Sequence, residues 1–374
     1  MTDQPVLFEE VKAANGKRVG IATLNAEKAL NALNVPMIQA LRPQLTDWAE
    51  RPEIACVVLK GAGEKAFCAG GDVVSMYHSI REKPGGPNPF AEQFFEQEYR
   101  LDYSIHTYPK PLLVWGHGIV MGGGLGMMVG GSHRVVTERS RIAMPEITIG
   151  LYPDVAGTWF LNRMPGRVGL FLGLTGASVN AADALFTDLA DYFVTADRRE
   201  EILDALGEVK WDDDPELNRG HLSLLLRRFA DESRDQRPES NVLKHMDFIN
   251  HVTDHHSVEG ILETLEAHAH DDDWIAGAVE TLKKGSPTSA RVIFEQYRRG
   301  KYLSLKEVFM RELNMSVQCT RHHDFAEGVR ALLIDKDRNP QWQPASLADV
   351  TDDIVEAHLS PPEGFDPSPL RDLD

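Results

Sequence analysis

Cysteine is scarce in this 374-residue chain, which carries only Cys56, Cys68 and Cys319. Three thiols at wide spacing allow neither a disulfide framework nor a zinc knuckle. Free thiols fit a reducing compartment, so a cytoplasmic location is expected. Basic residues are also outnumbered: 39 Lys and Arg stand against 57 Asp and Glu, a formal charge of −18. Nucleic-acid binders neutralise phosphates with clustered Lys and Arg, and anionic membranes repel acidic surfaces, so neither partner is expected. Long apolar runs are missing too. The nearest, Leu112 to Gly131, is broken by His117 and by glycines from Gly116 onward, and reads as strand, turn and short helix. The start, Met1-Thr2-Asp3-Gln4-Pro5, has no basic patch leading into an apolar run, so no secretory signal is expected. The 42% hydrophobic and 26% charged residues are those of an ordinary soluble globular protein and exclude a disordered chain, a coiled coil or a collagen-like fibre.

Along the chain, short β-branched runs first alternate with amphipathic helical patterns. Strands are expected at Val19–Leu24, Ile54–Leu59, Pro111–Trp115, Arg134–Thr137 and Ile142–Met144, and helices at Val35–Glu50 and Val73–Arg81. This alternation predicts an α/β core with mainly parallel pairing over residues 1–200. Residues 201–284 form a charged helical region, with helices at Glu200–Gly207, Leu222–Phe229, Val258–Ala269 and Asp273–Lys284. The polar segments Trp211–Arg219 and Asp231–Ser240 read as surface connections. Residues 285–374 are helical again over Ala290–Leu333, and the acidic, proline-rich tail from Pro361 reads as a surface strap or frayed end. No internal repeat is visible.

Four segments hold residues suited to chemistry. Lys65-Ala66-Phe67-Cys68-Ala69-Gly70-Gly71-Asp72 is a glycine turn between a strand and a helix, where small residues admit a ligand and helix-opening N–H groups meet negative charge. The same residues would also make a plain tight turn with Asp72 as helix cap. His117 to Gly126 is a second such turn. It lacks the glycine spacing of a dinucleotide fingerprint and the Gly-Lys-Ser/Thr of a phosphate loop, but its unhindered N–H groups suit a developing oxyanion, or simply close helix packing. In Met144-Pro145-Glu146 to Tyr152-Pro153-Asp154, two carboxylates sit among apolar neighbours, which raises their pKa toward general-base values; loop capping is the alternative. Read as a helix, Phe94, Phe95, Glu98 and Leu101 share one face, putting an acid on an apolar stripe or at its edge. No histidine spacing implies a metal; His255-His256 and His268-Ala269-His270 read as charged-helix residues. There is no Gly-x-Ser-x-Gly elbow either.

The order and spacing of these segments resemble the crotonase (enoyl-CoA hydratase/isomerase) superfamily over about residues 10–195. The residues that carry the likeness are Phe67 to Asp72, Met121-Gly122-Gly123-Gly124, and Met144-Pro145-Glu146 with Gly150 to Asp154. Two further stretches, Gly285-Ser286-Pro287-Thr288-Ser289 and His323 to Asp337, resemble the 3-hydroxyisobutyryl-CoA hydrolase branch, which the chain is similar to over nearly its full length.

The resemblance implies an α/β crotonase (ClpP-like) fold, a spiral of ββα units with a helical carboxy-terminal region. It implies thioester-oxygen donors at Gly71 and Gly123, a catalytic glutamate at Glu146 and acidic substrate-binding partners at Asp154 and Glu98. Coenzyme A, part of the substrate rather than a cofactor, would lie near Lys65, Ala66, Ala69 and Val73, with Lys28 and Ala29. No metal and no other cofactor is implied, and a homo-oligomer is compatible. Hydratases of the superfamily carry a second glutamate where this chain has Gly126. The expected reaction is therefore hydrolysis of a short 3-hydroxyacyl-CoA, most simply 3-hydroxyisobutyryl-CoA in valine breakdown. Enoyl-CoA hydration or isomerisation, and acyl-CoA binding without catalysis, are the alternatives.

Overall fold

Among residues 4–268, 272–366 and 369–374, which the computed structural model describes, nine strands occur. They are β1 (Val6–Lys12), β2 (Arg18–Leu24), β3 (Ile54–Gly61), β4 (Ala66–Cys68), β5 (Leu112–Gly116), β6 (Ile119–Met121), β7 (His133–Val136), β8 (Arg141–Ala143) and β9 (Tyr192–Phe193). Six form a sheet in the order β1-β2-β3-β5-β7-β9, and β4, β6 and β8 form a second, smaller one. β1 pairs antiparallel with β2, while β2–β3, β3–β5, β5–β7 and β7–β9 are parallel. Parallel strands covered on both faces carry continuous apolar runs, and all five residues of β5 are buried. The described chain divides into two compact units: Met1–Gly71, Leu101–Ile142 and Val179–Leu243 in one, Asp72–Arg100, Ala143–Ser178 and Lys244–Asp374 in the other.

In the first unit, Val19, Ile21, Val58, Leu113, Trp115 and Val135 of the large sheet cluster with Leu206, Trp211, Leu222, Leu226 and Phe229. The last five come from the helices Arg199–Glu208 and Pro215–Ser233 and the turn joining them. Trp211 corrects the surface reading of its segment. It is 2% exposed and its Nε1 donates to the Leu206 carbonyl at 3.1 Å. The polar stretch after it is already helix, with Asp214 as cap and Pro215 in the first turn, where its missing N–H costs nothing. Likewise Asp231–Ser233 belongs to this helix. The helix Val35–Glu50 starts on the Asn34 cap and buries Met37, Ile38, Leu41, Leu45 and Trp48. A Cβ on Gly20 would stand 2.7 Å from the Trp48 ring, so only glycine lets that indole lie on β2.

The second unit is mostly helical. Pro287–Gly300 begins on the Ser286 cap and Leu305–Arg321 on a reciprocal Ser304–Glu307 capping box. Asp273–Lys284 has the expected bounds, and Val258–His268 is described to His268; Ala269 and His270 lie outside the described residues. His255 and His256 stand in the turn before that helix, not on it as expected; His255 Nε2 contacts Thr264 Oγ1 at 2.8 Å. The tail is anchored rather than frayed: Leu370 is fully buried, and Arg100 holds the Pro369 carbonyl at 2.6 Å and Asp372 at 2.9 Å. Two glycines set the close approach that places the segment of interest. A Cβ on Gly150 would fall 2.3 Å from the Asp324 backbone, and one on Gly328 2.4 Å from the Ile149 backbone. This seats the short 3-10 helix Glu146–Ile149 against the helix His323–Val329.

Candidate active site

The two glycine turns lie in the first unit. β4, which the sequence reading did not anticipate, leads into Gly70 at φ +108°, and the Leu33 N–H donates to the Gly70 carbonyl at 2.8 Å. Next comes Gly71, bridged to Leu33. β6 leads into Gly122 (φ +49°, ψ −125°), which caps the helix Gly123–Gly130, all eight residues of it buried. No hydrogen bond to the N–H of Gly71 or Gly123 occurs among the described residues. Gly123 is the first helical residue, where the N–H has no partner within the helix and the dipole is positive. The packing role of the glycines is also present, but one residue on: a Cβ at Gly124 would sit 2.2 Å from the Cys68 carbonyl oxygen.

Asn31, which the sequence reading did not single out, organises the rest of this turn. Buried at φ +55°, it accepts the Ala26 N–H at 3.0 Å and donates to the carbonyls of Ala62 (3.0 Å) and Ala66 (2.9 Å). The Ala69 N–H donates to the Leu30 carbonyl at 3.1 Å. Lys28 and Ala29, on the one-turn helix Glu27–Ala29, are thereby brought to the stretch holding Lys65, Ala66 and Ala69. Lys28, Ala29 and Lys65 are exposed and Ala69 half-buried, while Ala66 is buried and serves the loop through its carbonyl. In the second unit, half-buried Val73 opens the helix Val73–Glu82, and Asp72 caps it, accepting the Ser75 N–H at 3.1 Å.

The second unit gathers the acids. The helix Pro89–His106 buries Phe94, Phe95, Glu98 and Leu101 along one face, as their spacing predicts. Glu98, Glu146 and Asp154 are each 5% exposed or less. Glu146 opens its 3-10 helix, and its Oε2 is buried with no hydrogen-bond partner among the described residues. Burial, then the charge of Asp154, holds Glu146 well above the usual carboxylate range, and Glu98 adds to the rise. Glu98 is raised in the same way by burial and then Asp154. Asp154 is raised by burial, against which the Tyr99 hydroxyl, 2.6 Å from Oδ2, works. Burial and mutual repulsion disfavour ionising all three carboxyls together, an arrangement suited to keeping a proton donor beside a proton acceptor.

Several residues that position Asp154 escaped the sequence reading. Val155 (φ +50°) and Ala156 (φ +70°) adopt left-handed backbone, unusual for any side chain and more so for a β-branched one. Glu312 holds this strained turn: its two carboxylate oxygens accept the N–H groups of Ala156 and Thr158, each at 2.8 Å. Gln296 donates to the Pro153 carbonyl and to Thr158 Oγ1, both at 2.7 Å. Backbone strain of this kind persists only where the surroundings over-determine it. Ser316 contacts the hydroxyls of Tyr99 (2.6 Å) and Tyr152 (2.7 Å), and Tyr152 donates to the Glu312 carbonyl at 2.5 Å.

The enoyl-CoA hydratase/isomerase family model matches residues 19–359. A mitochondrial 3-hydroxyisobutyryl-CoA hydrolase from Danio rerio is 41% identical, with 95% of this chain and 89% of that one covered. The structure of a carnitinyl-CoA dehydratase from Mycobacterium thermoresistibile superposes with a TM-score of 0.85 at 36% identity, covering 97% of this chain and 98% of that one. An enoyl-CoA hydratase from Rhodobacter sphaeroides gives 0.81 at 33% identity, covering 96% and 97%. The expected α/β crotonase fold is thus the fold of the chain, with mainly parallel strands first and, among the described residues, no strand after β9. Among the described residues no helix is long and apolar enough to cross a membrane. This chain belongs to the enoyl-CoA hydratase/isomerase family.

Proposed function

We propose that the chain hydrolyses the thioester of a short 3-hydroxyacyl-CoA, 3-hydroxyisobutyryl-CoA first among them, and so serves valine breakdown. The observation that carries this reading is the pairing of Glu146 and Asp154 as buried carboxyls with raised pKa, while the position of the hydratases' second glutamate is Gly126, buried inside the helix Gly123–Gly130. Adding water to a double bond needs two acid/base groups around that water. Cleaving a thioester needs a nucleophile or base, an oxyanion site and an acid for sulfur. The N–H groups of Gly71 and Gly123 serve as oxyanion donors. Glu146 acts as nucleophile or as base toward water, Asp154 as the acid, and Glu98 takes the 3-hydroxyl. Lys28, Ala29, Lys65, Ala66, Ala69 and Val73 form the coenzyme A side. Similarity to the hydrolase of 41% identity supports the assignment over the dehydratase and hydratase named among the solved structures. The three free, buried cysteines suit a reducing compartment, and the cytoplasm remains our assignment for this chain, although the Danio rerio relative is named mitochondrial.

Comparing 3-hydroxyisobutyryl-CoA, 3-hydroxypropionyl-CoA and isobutyryl-CoA by thiol release tests the assignment of Glu98 and Asp154. An unpaired buried polar group costs about 1–3 kcal/mol, so isobutyryl-CoA should be slower by roughly 5- to 150-fold, with 3-hydroxypropionyl-CoA between. Equal rates for isobutyryl-CoA and its hydroxylated counterpart would remove the hydroxyl-recognition role.

A further inference from the structure

The cluster around Asp154 holds more close oxygen contacts than its hydroxyls can serve. Four run in series: Asp154 Oδ2 to the Tyr99 hydroxyl (2.6 Å), Tyr99 to Ser316 Oγ (2.6 Å), Ser316 to the Tyr152 hydroxyl (2.7 Å), and Tyr152 to the Glu312 carbonyl (2.5 Å). Each contact needs a hydrogen, because bare oxygens at such separations repel. The far end fixes the direction. A carbonyl oxygen only accepts, so Tyr152 gives its one proton to Glu312. The Tyr152 oxygen then receives from Ser316, Ser316 from Tyr99, and Tyr99 from Asp154. Three hydroxyls supply three hydrogens for four contacts, and the fourth must sit on Asp154 Oδ2.

We propose that Asp154 rests as a carboxylic acid, and that Tyr99, Ser316 and Tyr152 are positioning residues whose one-way chain of hydrogen bonds keeps the proton on it for delivery to the leaving sulfur. This rests on the hydrolytic reading above for its use, but not for the protonation itself. The acids facing Asp154 favour a neutral carboxyl, whereas the Tyr99 hydroxyl can also donate to the ionised form. The facing groups are Glu98 and Tyr99 of the helix Pro89–His106, Glu146 and Tyr152 of its own stretch, and Glu312 and Cys319 of the helix Leu305–Arg321. None of them is a cation.

During turnover the C–S bond breaks and its electron pair leaves with sulfur. Asp154 gives sulfur its proton, freeing the thiol of coenzyme A. The aspartate left behind draws the Tyr99 proton toward itself, and the Tyr99–Ser316 contact loses its hydrogen. The water consumed supplies its hydroxyl to the acyl carbon and its remaining proton to Asp154, directly or through Glu146, which restores the chain.

Infrared spectroscopy of the whole protein against pH tests this. A protonated-carboxyl band that disappears in Asp154→Asn should be present at neutral pH, with a midpoint matching the alkaline limb of kcat. Ser316→Ala leaves two contacts and two hydroxyl protons, so an ionised Asp154 becomes fully bonded and its midpoint should fall by about one pH unit. Tyr152→Phe should act in the same direction for the same reason. Tyr99→Phe removes the hydroxyl that meets the ionised form and should raise the midpoint. Ser316→Thr, which keeps a hydroxyl, should restore the wild-type value. A loss of packing alone would not give shifts of opposite sign. Absence of the Asp154 band at neutral pH, or shifts of one sign in all three hydroxyl deletions, overturns the proposal. If the band and its shifts are present but no thioester is cleaved, the proton-holding chain stands and the hydrolytic reading fails.

Discussion

Glu146→Gln should give a protein that is more stable and nearly inactive. The side chain keeps its shape, so backbone and packing are preserved, but the group placed to attack or to deprotonate water is gone. A general base contributes about 10²–10⁴ in rate, and a nucleophile that acts within a unit more than that. Stability moves the other way. Glu146 is buried beside Asp154 and Glu98 with Oε2 unpartnered among the described residues, and its folded-state pKa lies above the ordinary glutamate value. The folded chain therefore holds a proton there that the unfolded chain releases. Stability is greatest below the ordinary value of about 4.3 and declines as pH rises toward the raised folded pKa. An uncharged amide avoids this decline. Avoiding the ionisation of this buried carboxyl is worth about 1.4 kcal/mol for each pH unit by which its folded pKa is raised, or a few degrees of melting temperature in a chain of this size. Thiol release from 3-hydroxyisobutyryl-CoA and thermal melts at pH 5 and pH 8 check both halves. The gain should be larger at pH 8. A variant within about tenfold of wild-type activity, or one less stable at pH 8, would refute the reasoning.

Neighbouring glycines should separate chemistry from packing. Gly124→Ala puts a Cβ 2.2 Å from the Cys68 carbonyl and should destabilise by about 1–3 kcal/mol or more, read by melting. Gly123→Val should lower the chemical rate far more than the melting temperature, because it crowds the position of the thioester oxygen. Asn31→Ala strips a buried carbonyl, a half-buried carbonyl and one N–H of their partner and should raise KM for acyl-CoA while changing kcat little, seen in steady-state kinetics. Glu312→Gln sets an amide N–H₂ against one of two N–H donors, so the turn after Asp154 should loosen, with a loss of about 1–3 kcal/mol and a fall in kcat rather than a rise in KM.

Long periodic segments were legible because their pattern is local. Val35–Glu50 and Asp273–Lys284 have the expected bounds, and the Phe94, Phe95, Glu98, Leu101 face is buried as its spacing implies. The three-residue strands β4 and β6 lie inside the glycine turns, which mask them, and β1 alternates only loosely, with Glu9 exposed and Glu10 half-buried. Trp211 was misread because its polar neighbours described the turn, while its own indole was the part that packed. Glu146, Asp154 and the glycine turns were visible as motifs. Their supports were not: Tyr99 meets Asp154 across 55 positions and Ser316 across 217, and no local spacing announces such a contact. Glu312 lies on a helix whose sequence reads as ordinary and amphipathic, and its role comes from two N–H groups in a strained turn more than 150 residues away in the chain.

The claim that this site hydrolyses rather than hydrates is tested most directly with one protein preparation and two substrates. 3-Hydroxyisobutyryl-CoA is followed by the appearance of free thiol, and crotonyl-CoA by loss of its enoyl absorbance. With Gly126 in place of an acid, rapid thiol release from the first and no appreciable hydration of the second are expected. Robust hydration of crotonyl-CoA with no thiol released from 3-hydroxyisobutyryl-CoA would contradict the account.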